Sequence, residues 1–278
     1  MPKTVIFLDG EFIPAGHNLI QRMSPGNLQG RGIFETMRSY RGKIFAFNKH
    51  LTRFFSGAKF LGVSSPLSKT DIEIFVYLTL RKNKLRNARI RLMLWKSTRG
   101  KTRIAIVAQA YGGFAAGDYK KGFRVAVSSL RQNRPRGSTG VKSLRYNLYK
   151  KAFHRAKTQG CQEAILLTPQ GFVSECSRSN IFLVKNKKLF TPHLKFGCLN
   201  GITRQIILGL AKKTHVPCRQ GSVALNELFA SDEIFLTNSL IELMPVSLLQ
   251  GRVIGSKKNP VTLKLRRAYR GALKRAVL

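Results

Sequence analysis

The chain has 278 residues, 43% of them hydrophobic and 9% aromatic, which is enough to bury one large core or two modest ones. Its 50 lysines and arginines face only 12 acids, so the formal net charge is +38. Such a charge predicts weak, salt-sensitive, non-specific binding of nucleic acid or other polyanions whatever the fold is. Basic residues are spread along the whole chain without a zinc-finger, RNP or helix-turn-helix pattern, which argues against a dedicated nucleic-acid-binding module.

The sequence also excludes several classes of protein. It has no apolar run long enough to cross a membrane, and its start reads as a strand, not a signal peptide, so we expect a cytoplasmic protein with no membrane insertion. The four cysteines stand singly, and no histidine lies at metal-ligand spacing from them. We therefore predict reduced thiols and no metal site.

The first third of the chain opens with a predicted hairpin over residues 4–14, in which Asp9-Gly10 suits a turn with positive φ. A Gly-rich loop at residues 25–32 then enters a strand over residues 33–40. This loop lacks the third glycine and the following helix of a dinucleotide-binding fingerprint. It is therefore predicted to be a connection and not a nucleotide site.

Two helices are predicted next from apolar residues at helical spacing. Asn48 is expected to cap the first, over residues 49–61, and Ser68 or Thr70 the second, which reaches about Arg81. Two strands are predicted to follow, at residues 90–95 and 103–108.

Periodicity breaks at a Gly/Ala-containing stretch around residues 111–121, where we place the domain boundary. The predicted division is an N-terminal α+β domain at 1–112, an interdomain connection at 113–121 and a C-terminal domain at 122–278. In the second domain short strands between helices favour a mixed α+β fold over a doubly wound sheet. Its predicted elements are strands at 123–129, 163–168 and 172–175, a hairpin of 180–184 and 188–191, a strand at 233–237, and helices at 146–158, 204–213 and 260–274.

Two of those helices carry predictions about their first residues. Thr203 is an N-cap candidate, and the free NH groups of a helix start make a phosphate site. Asn259 is expected to cap the last helix, which Pro260 opens and whose Leu263, Leu265, Tyr269 and Leu273 are expected to pack.

Taken singly, the candidate chemical groups are weak signals. Lys142 is one base among 50, and Arg53 lies off the apolar stripe of its helix, where a solvated arginine is the ordinary interpretation. Glu175 stands out more, because it lies in a segment otherwise built of Ser, Cys, Arg and Asn.

The spacing of such residues along the chain is a stronger functional signal than any one of them alone. The pattern Glu175-x-Ser177-x-x-Asn180-Ile181-Phe182, then Leu189-x-Thr191, then Leu199-x-Gly201-Ile202-x-Arg204, resembles the signature of the class IV (fold type IV) pyridoxal phosphate enzymes. The resemblance covers nearly the whole chain. It includes Phe34-Glu35-Thr36-x-Arg38, His50-Leu51-x-Arg53, Lys142-Ser143-Leu144 and Phe235-Leu236-Thr237-Asn238-Ser239. It implies a two-domain α+β fold like that of D-amino-acid aminotransferases, with a small N-terminal α/β sandwich-like domain and a larger, pseudo-barrel C-terminal domain that binds pyridoxal phosphate.

The resemblance also implies roles for individual residues. Lys142 would hold pyridoxal 5'-phosphate as a Schiff base and then move the substrate proton. Glu175 would pair with the protonated pyridine nitrogen and keep the ring an electron sink. The phosphate would be held by a third group, which consists of Arg53, Ile202, Thr203, Asn238 and Ser239.

Within the family, Phe34-Glu35-Thr36, Asn200-Gly201-Ile202 and Thr237-Asn238-Ser239-Leu240 look most like 4-amino-4-deoxychorismate lyases. Branched-chain aminotransferases typically have a glycine in place of Thr36 and a tyrosine in place of Asn147. D-amino-acid aminotransferases use an arginine and a histidine for the substrate carboxylate, and residues 89–102 contain arginines but no histidine. The resemblance thus implies conversion of an anionic substrate, aminodeoxychorismate, to 4-aminobenzoate and pyruvate in folate biosynthesis.

Two alternatives stay open. The first is a class IV aminotransferase acting on branched-chain or D-amino acids, which would depend on an added oxo acid. The second is a polyanion-binding protein on an inactive fold, which would be indifferent to Lys142→Ala and would lose binding steeply with salt. Family members are usually homodimers, so a homodimer is expected.

Overall fold

The computed structural model describes residues 4–28, 31–98, 100–134, 137–255 and 259–277, so part of the loop predicted at 25–32 lies outside the described residues. The chain divides into two compact units, one of Met1–Gly112, Gly140–Asn147 and Ala276–Leu278, the other of Gly113–Thr139 and Leu148–Arg275. The segment that carries Lys142 is therefore part of the first unit, although it follows that unit's other strands in the chain. None of the helices described is both long and apolar enough to span a bilayer.

The first unit is built on one antiparallel sheet with strand order β2-β1-β6-β5-β3-β4. Its elements are β1 (Thr4–Leu8), β2 (Glu11–Ala15), α1 (His17–Arg22), β3 (Arg31–Tyr40), β4 (Lys43–Ile44), α2 (Phe47–Phe60), α3 (Lys69–Lys82), β5 (Ala88–Lys96) and β6 (Thr102–Ala110). The predicted hairpin is confirmed: Asp9 and Gly10 both have positive φ, 52° and 106°, at its turn.

Both faces of this sheet are covered, because successive side chains of a strand point to opposite sides. On one face Ile33 and Met37 of β3 pack with α2 and α3 in a core that includes Leu51, Phe54 and Ile72. On the other face Phe34 of β3 packs with Met93 and Trp95 of β5, with α1, and with the chain at residues 144–146. Side chains of β3 therefore alternate between two different environments.

The helix predictions need one correction. Asn48 does not cap the first helix, because α2 already begins at Phe47 and follows Ala46, whose φ is 54° and which makes no side-chain cap. The second prediction is confirmed with Ser68 as the cap: Ser68 accepts from the backbone NH of Asp71, and Asp71 accepts from that of Ser68, a capping box.

The second unit contains a larger mixed sheet with strand order β12-β11-β10-β13-β14-β7-β8-β9, and β15 pairs with β14. Its elements are α4 (Ala116–Lys121), β7 (Phe123–Arg131), α5 (Asn147–Thr158), β8 (Glu163–Leu167), β9 (Val173–Cys176), β10 (Asn180–Lys185), β11 (Lys188–Pro192), α6 (Ile202–Lys213), β12 (Cys218–Gly221), α7 (Leu225–Phe229), β13 (Glu233–Asn238), β14 (Glu242–Leu249), β15 (Arg252–Val253) and α8 (Pro260–Val277). Helices and a mixed sheet confirm the predicted α+β class.

Two predicted caps in this unit are wrong. Helix α6 begins at Ile202 after Gly201, so Thr203 is the second residue of the helix and not its N-cap. Asn259 does not cap α8 through its side chain, since its Oδ1 has no hydrogen-bond partner among the described residues. Instead the buried carboxylate of Glu233, on β13, accepts from the backbone NH groups of Val261 and Thr262 at 2.9 and 2.8 Å.

Two smaller predictions also differ from the structure. Leu263 is 40% exposed and does not pack as expected, whereas Leu265, Tyr269 and Leu273 are buried. The stretch around residues 111–121, expected to be an irregular connection, contains the short helix α4.

Candidate active site

Lys142 is positioned by backbone pairing along the edge of β3. The NH of Phe34 donates to the carbonyl of Lys142, and the NH of Leu144 donates to that of Gly32, each at 2.9 Å. This pairing places the Lys142 Nζ 4.7 Å from the ring centroid of Phe34. An amine on an aromatic face keeps a favourable electrostatic contact while it stays near solvent.

Gly32 makes that pairing possible. A Cβ at this position would meet Trp95 Cβ at 2.6 Å and Leu144 Cδ1 at 2.7 Å, and would collide with the carbonyl oxygen of Leu94. Only glycine leaves room for Leu144 to lie against the strand. The glycine of the predicted loop therefore serves to seat the Lys142 segment.

Arg53 is not the solvated arginine that its helix position suggested. It lies on α2 one turn after His50, and both side chains reach the carboxylate of Glu35, which β3 projects into the core. Arg53 is 10% exposed, and Glu35 and His50 are 1% and 2% exposed. These three residues are called the Glu35 cluster below.

The Glu35 cluster holds its charges in defined states. Burial by itself would raise the pKa of Glu35, but Arg53 and His50 outweigh it and lower that pKa from 4.5 to about 2. Burial lowers the pKa of His50 below 6.5, helped by Arg53 and Lys142 and against the attraction of Glu35. Glu35 is therefore ionised and His50 neutral at pH 7.

We expect Glu35→Gln to remove part of the acid sensitivity of the protein. A carboxyl with a lowered folded-state pKa contributes stability that is present above its unfolded pKa and is lost as the pH falls, here from 4.5 towards about 2. The free energy of unfolding should fall by roughly 3 kcal/mol across that window in the unchanged protein and by clearly less in the variant. Urea unfolding between pH 5 and pH 2 measures the difference, and parallel curves would contradict it.

Glu175, on β9, is buried and held by three donors from other segments. Arg134 Nη2 and the Tyr149 hydroxyl donate to its Oε1 at 3.0 and 2.9 Å, and the backbone NH of Leu199 donates to Oε2 at 2.8 Å. Burial would lower the pKa of Arg134, but Glu175 and Tyr149 outweigh it and raise that pKa. Burial, together with Glu175, raises the pKa of Tyr149, which keeps it a donor.

The contacts of Glu175 leave room for one more donor. An ionised carboxylate offers about four acceptor positions, two on each oxygen. Arg134 and Tyr149 take two on Oε1, and Leu199 takes one on Oε2. One acceptor position, on Oε2, therefore receives no hydrogen bond from the described residues.

The start of α6 has the properties of an anion site. Its N-cap Gly201 has extended backbone angles and makes no side-chain cap, and the first helical bond runs from Gln205 NH to the Gly201 carbonyl. The NH groups of the first turn thus have no partner within the helix. A Cβ on residue 201 would collide with Oδ1 of Asn180, whose amide donates to the Leu199 carbonyl at 2.8 Å, so glycine is required here.

One hydroxyl near this helix start, that of Thr237, was part of the family motif in the sequence but received no predicted role. Thr237 lies on β13 directly opposite Asn180 in the register, and it is 1% exposed. Its Oγ1 has no hydrogen-bond partner among the described residues. A buried, unpaired hydroxyl carries a cost of about 1–3 kcal/mol, which makes Thr237 Oγ1 a candidate donor to a ligand at this helix start.

The other predicted site residues of the second unit are placed as follows. Ile202 and Thr203 are buried in the first turn of α6. Asn238 uses its side chain within the protein: Oδ1 accepts from the NH groups of Leu240 and Ile241, and Nδ2 donates to the Arg178 carbonyl. Ser239 is half-buried in the turn that Asn238 holds.

Known proteins resemble this chain over nearly its whole length. The model of the amino-transferase class IV family matches residues 32–249. A branched-chain-amino-acid aminotransferase of Pseudomonas aeruginosa is 31% identical over 281 residues, 95% of this chain and 91% of that protein. An aminodeoxychorismate lyase of Bacillus subtilis is 29% identical over 286 residues, 98% of this chain and 96% of that protein.

Among solved structures, the branched-chain amino acid aminotransferase of Escherichia coli has a TM-score of 0.87 to this chain. It is 27% identical, and the match covers 97% of this chain and 94% of that one. A second branched-chain amino acid aminotransferase, solved with pyridoxamine 5'-phosphate, has a TM-score of 0.86 at 26% identity. The family match supports the predicted two-domain α+β fold. The chain belongs to the class IV aminotransferases, a family of enzymes that depend on pyridoxal phosphate.

Proposed function

We propose that the protein is a lyase that converts 4-amino-4-deoxychorismate to 4-aminobenzoate and pyruvate. The alternative within the family is an aminotransferase acting on branched-chain or D-amino acids. Relatives of both kinds match the chain. The observation that favours the lyase is the charge of the sheet face next to Lys142.

That face is lined by arginines. Phe34, against which the Lys142 amine rests, shares it with Thr36 and Arg38 of β3. In the register of the sheet Thr36 pairs with Arg91 and Arg38 with Arg89, so the side chains of three arginines leave the sheet on the same face as Phe34. We call Arg38, Arg89 and Arg91 the arginine face.

The arginine face makes several contacts with hydroxyl, carbonyl, amide and aromatic groups. Arg91 Nη1 donates to Ser24 Oγ at 2.8 Å and to the Met23 carbonyl, and Arg89 Nη2 donates to Gln109 Oε1. Arg38 lies over the rings of Tyr40 and Tyr111 at 4.4 and 5.0 Å. The positive charge of this surface supports a small anionic substrate with more than one carboxylate, in preference to an apolar branched-chain side chain.

The residues of this chain fit the cofactor of the family. The remaining acceptor position on Glu175 Oε2 suits a pyridinium NH, and the first turn of α6 with the buried Thr237 hydroxyl suits a phosphate. We propose that Lys142 binds the cofactor covalently and that Glu175 pairs with its ring nitrogen. Its phosphate is proposed to be held by five residues, namely Arg53, Ile202, Thr203, Asn238 and Ser239. Asn238 would contribute by holding the turn that contains Ser239.

When bound, pyridoxal phosphate supplies an electron sink for the carbon that carries the substrate amine. Lys142 would hold the cofactor until the substrate amine takes its place, and the freed ε-amine of Lys142 would then take the proton from that ring carbon. The electron pair of the broken C–H bond forms a ring double bond. The enolpyruvyl ether leaves from the neighbouring carbon with its C–O electrons and is protonated to pyruvate, so the ring becomes aromatic without an oxidant.

An assay with and without an oxo acid separates the two reactions. The lyase releases pyruvate and 4-aminobenzoate in equal amounts when aminodeoxychorismate is the only substrate. An aminotransferase releases neither, and turns over an amino acid only when an oxo acid is added. Turnover that requires the oxo acid would overturn the proposed lyase.

We expect Arg89→Met to raise the KM for aminodeoxychorismate by about tenfold or more, since a hydrogen bond to a charged group contributes about 1.5–3 kcal/mol. The turnover number should change little, because the arginine binds the substrate and does not move a proton. Arg81→Met, an exposed change at the end of α3 on the opposite side of the sheet, is the matched control. Equal KM values in Arg89→Met and Arg81→Met would show that the arginine face does not bind the substrate.

The family resemblance also leads us to propose a homodimer. A protomer with a formal charge of +38 must overcome self-repulsion to pair, so the dimer should weaken at low ionic strength. Light scattering at two salt concentrations measures this.

A further inference from the structure

The Glu35 cluster lies on the apolar face of the first sheet, where a buried carboxylate is destabilising unless other residues stabilise its charge. Glu35 lies between Ile33 and Met37 of β3, whose side chains enter the hydrophobic core of α2 and α3. A buried carboxylate is tolerated only when it is paired and hydrogen-bonded. Glu35 is 1% exposed and is paired entirely within the cluster in the contacts described.

The geometry of the cluster fixes the arginine in orientation as well as in position. Arg53 Nε donates to Glu35 Oε1 at 2.7 Å and Nη2 donates to Oε2 at 2.8 Å, a two-point contact of two planar groups. Two bonds between two planar groups fix the plane of the guanidinium relative to the carboxylate, so Glu35 sets the direction in which Arg53 presents its donors.

His50 completes the arrangement from the same face of α2. Its Nδ1 lies 2.7 Å from Glu35 Oε2. An ionised carboxylate only accepts hydrogen bonds, so the proton of the neutral imidazole is on Nδ1. With Glu35 negative, Arg53 positive and His50 neutral, the cluster carries no net charge.

We propose that Glu35 and His50 are positioning residues that aim Arg53 at the cofactor phosphate. This inference rests on the proposed role of Arg53 as a phosphate ligand. Glu35 does not itself touch the phosphate, which its charge would repel. Because the cluster is neutral as a whole, Arg53 acts by a directed hydrogen bond and not by a general field of positive charge.

A directed hydrogen bond from Arg53 to the phosphate predicts how substitutions of each residue of the Glu35 cluster should affect phosphate binding. Arg53→Lys keeps the charge but loses the planar fork, so it should bind phosphate nearly as poorly as Arg53→Gln. Glu35→Gln keeps the shape of the side chain but weakens its two-point contact with Arg53. Its effect on phosphate binding should therefore require that Arg53 is present. His50→Asn preserves a donor in the place of Nδ1, whereas His50→Leu removes it.

The test compares pyridoxal phosphate with pyridoxal, which lacks the phosphate. Dissociation constants for both are measured by absorbance titration, and their ratio reports the phosphate contribution. We expect Glu35→Gln and His50→Leu to weaken pyridoxal phosphate about tenfold or more and to leave pyridoxal unchanged. His50→Asn and the exposed control Glu73→Gln should keep the ratio of the unchanged protein.

The double variant Glu35→Gln/Arg53→Gln should bind pyridoxal phosphate no more weakly than Arg53→Gln alone. An unchanged ratio in Glu35→Gln and His50→Leu, or an equal loss for both ligands, would overturn the positioning role. An unchanged ratio in Arg53→Gln would instead overturn the proposed phosphate role of Arg53. If Glu35→Gln does not fold, the His50 pair gives the same comparison.

Discussion

Replacing Lys142 by alanine is expected to lower the turnover number by at least about a thousandfold, the largest effect of any single change. The variant would lose both proposed roles of Lys142, the covalent attachment of the cofactor and the acceptance of the substrate proton, and positioned acid–base catalysis alone contributes about 10²–10⁴-fold. Stability should be nearly unchanged, because the bonds that seat the segment are backbone bonds to Gly32 and Phe34. Steady-state kinetics and thermal unfolding measure the two quantities.

Lys151→Ala is the control for this change, since Lys151 is an exposed lysine on α5. It removes the same charge and should leave turnover within twofold or so of the unchanged protein. An added small amine should restore part of the turnover of Lys142→Ala if the missing group is the proton acceptor. Full activity in Lys142→Ala would exclude Lys142 from the chemistry.

Replacing Glu175 by glutamine is expected to reduce both activity and stability. Glutamine cannot balance the charge of Arg134, and a buried cation left without its partner costs about 3–5 kcal/mol. It also removes the negative charge proposed to sit beside the ring nitrogen, so turnover should fall by about a hundredfold or more. Urea unfolding and pyruvate release measure the two losses.

A second substitution separates the two roles of Glu175. In Glu175→Gln/Arg134→Gln the unpaired cation is gone, so stability should recover while activity does not. Glu227→Gln, a change in the exposed cap of α7, is the control and should cost about 1 kcal/mol or less. Recovery of activity together with stability would show that Glu175 acts only as a structural partner of Arg134.

Local signals allowed much of the fold to be predicted from the sequence. Asp9-Gly10 indicated a hairpin, Ser68 with Asp71 a helix start, and apolar spacing the buried face of α2. Each of these depends on residues within a few positions of one another. The errors at Asn48 and Thr203 are also local, because good capping residues stand one or two positions inside helices that start earlier.

The parts of the site that were missed depend on contacts between distant residues. Glu175 meets Arg134 across 41 positions, and Glu233 replaces Asn259 as the cap of α8 from 28 positions away. No periodicity or spacing rule connects such pairs. Arg53 is similar: its helix position suggested solvent, but a carboxylate on β3 draws it into the interior.

Lys142 is the residue through which we propose that this chain holds pyridoxal phosphate. The most direct measurement is the absorbance spectrum of the protein with added pyridoxal phosphate, before and after borohydride reduction, followed by mapping of the modified peptide. We expect a new visible absorbance band that reduction removes and a single reduced adduct on Lys142. No band, or a label spread over the many surface lysines, would contradict it.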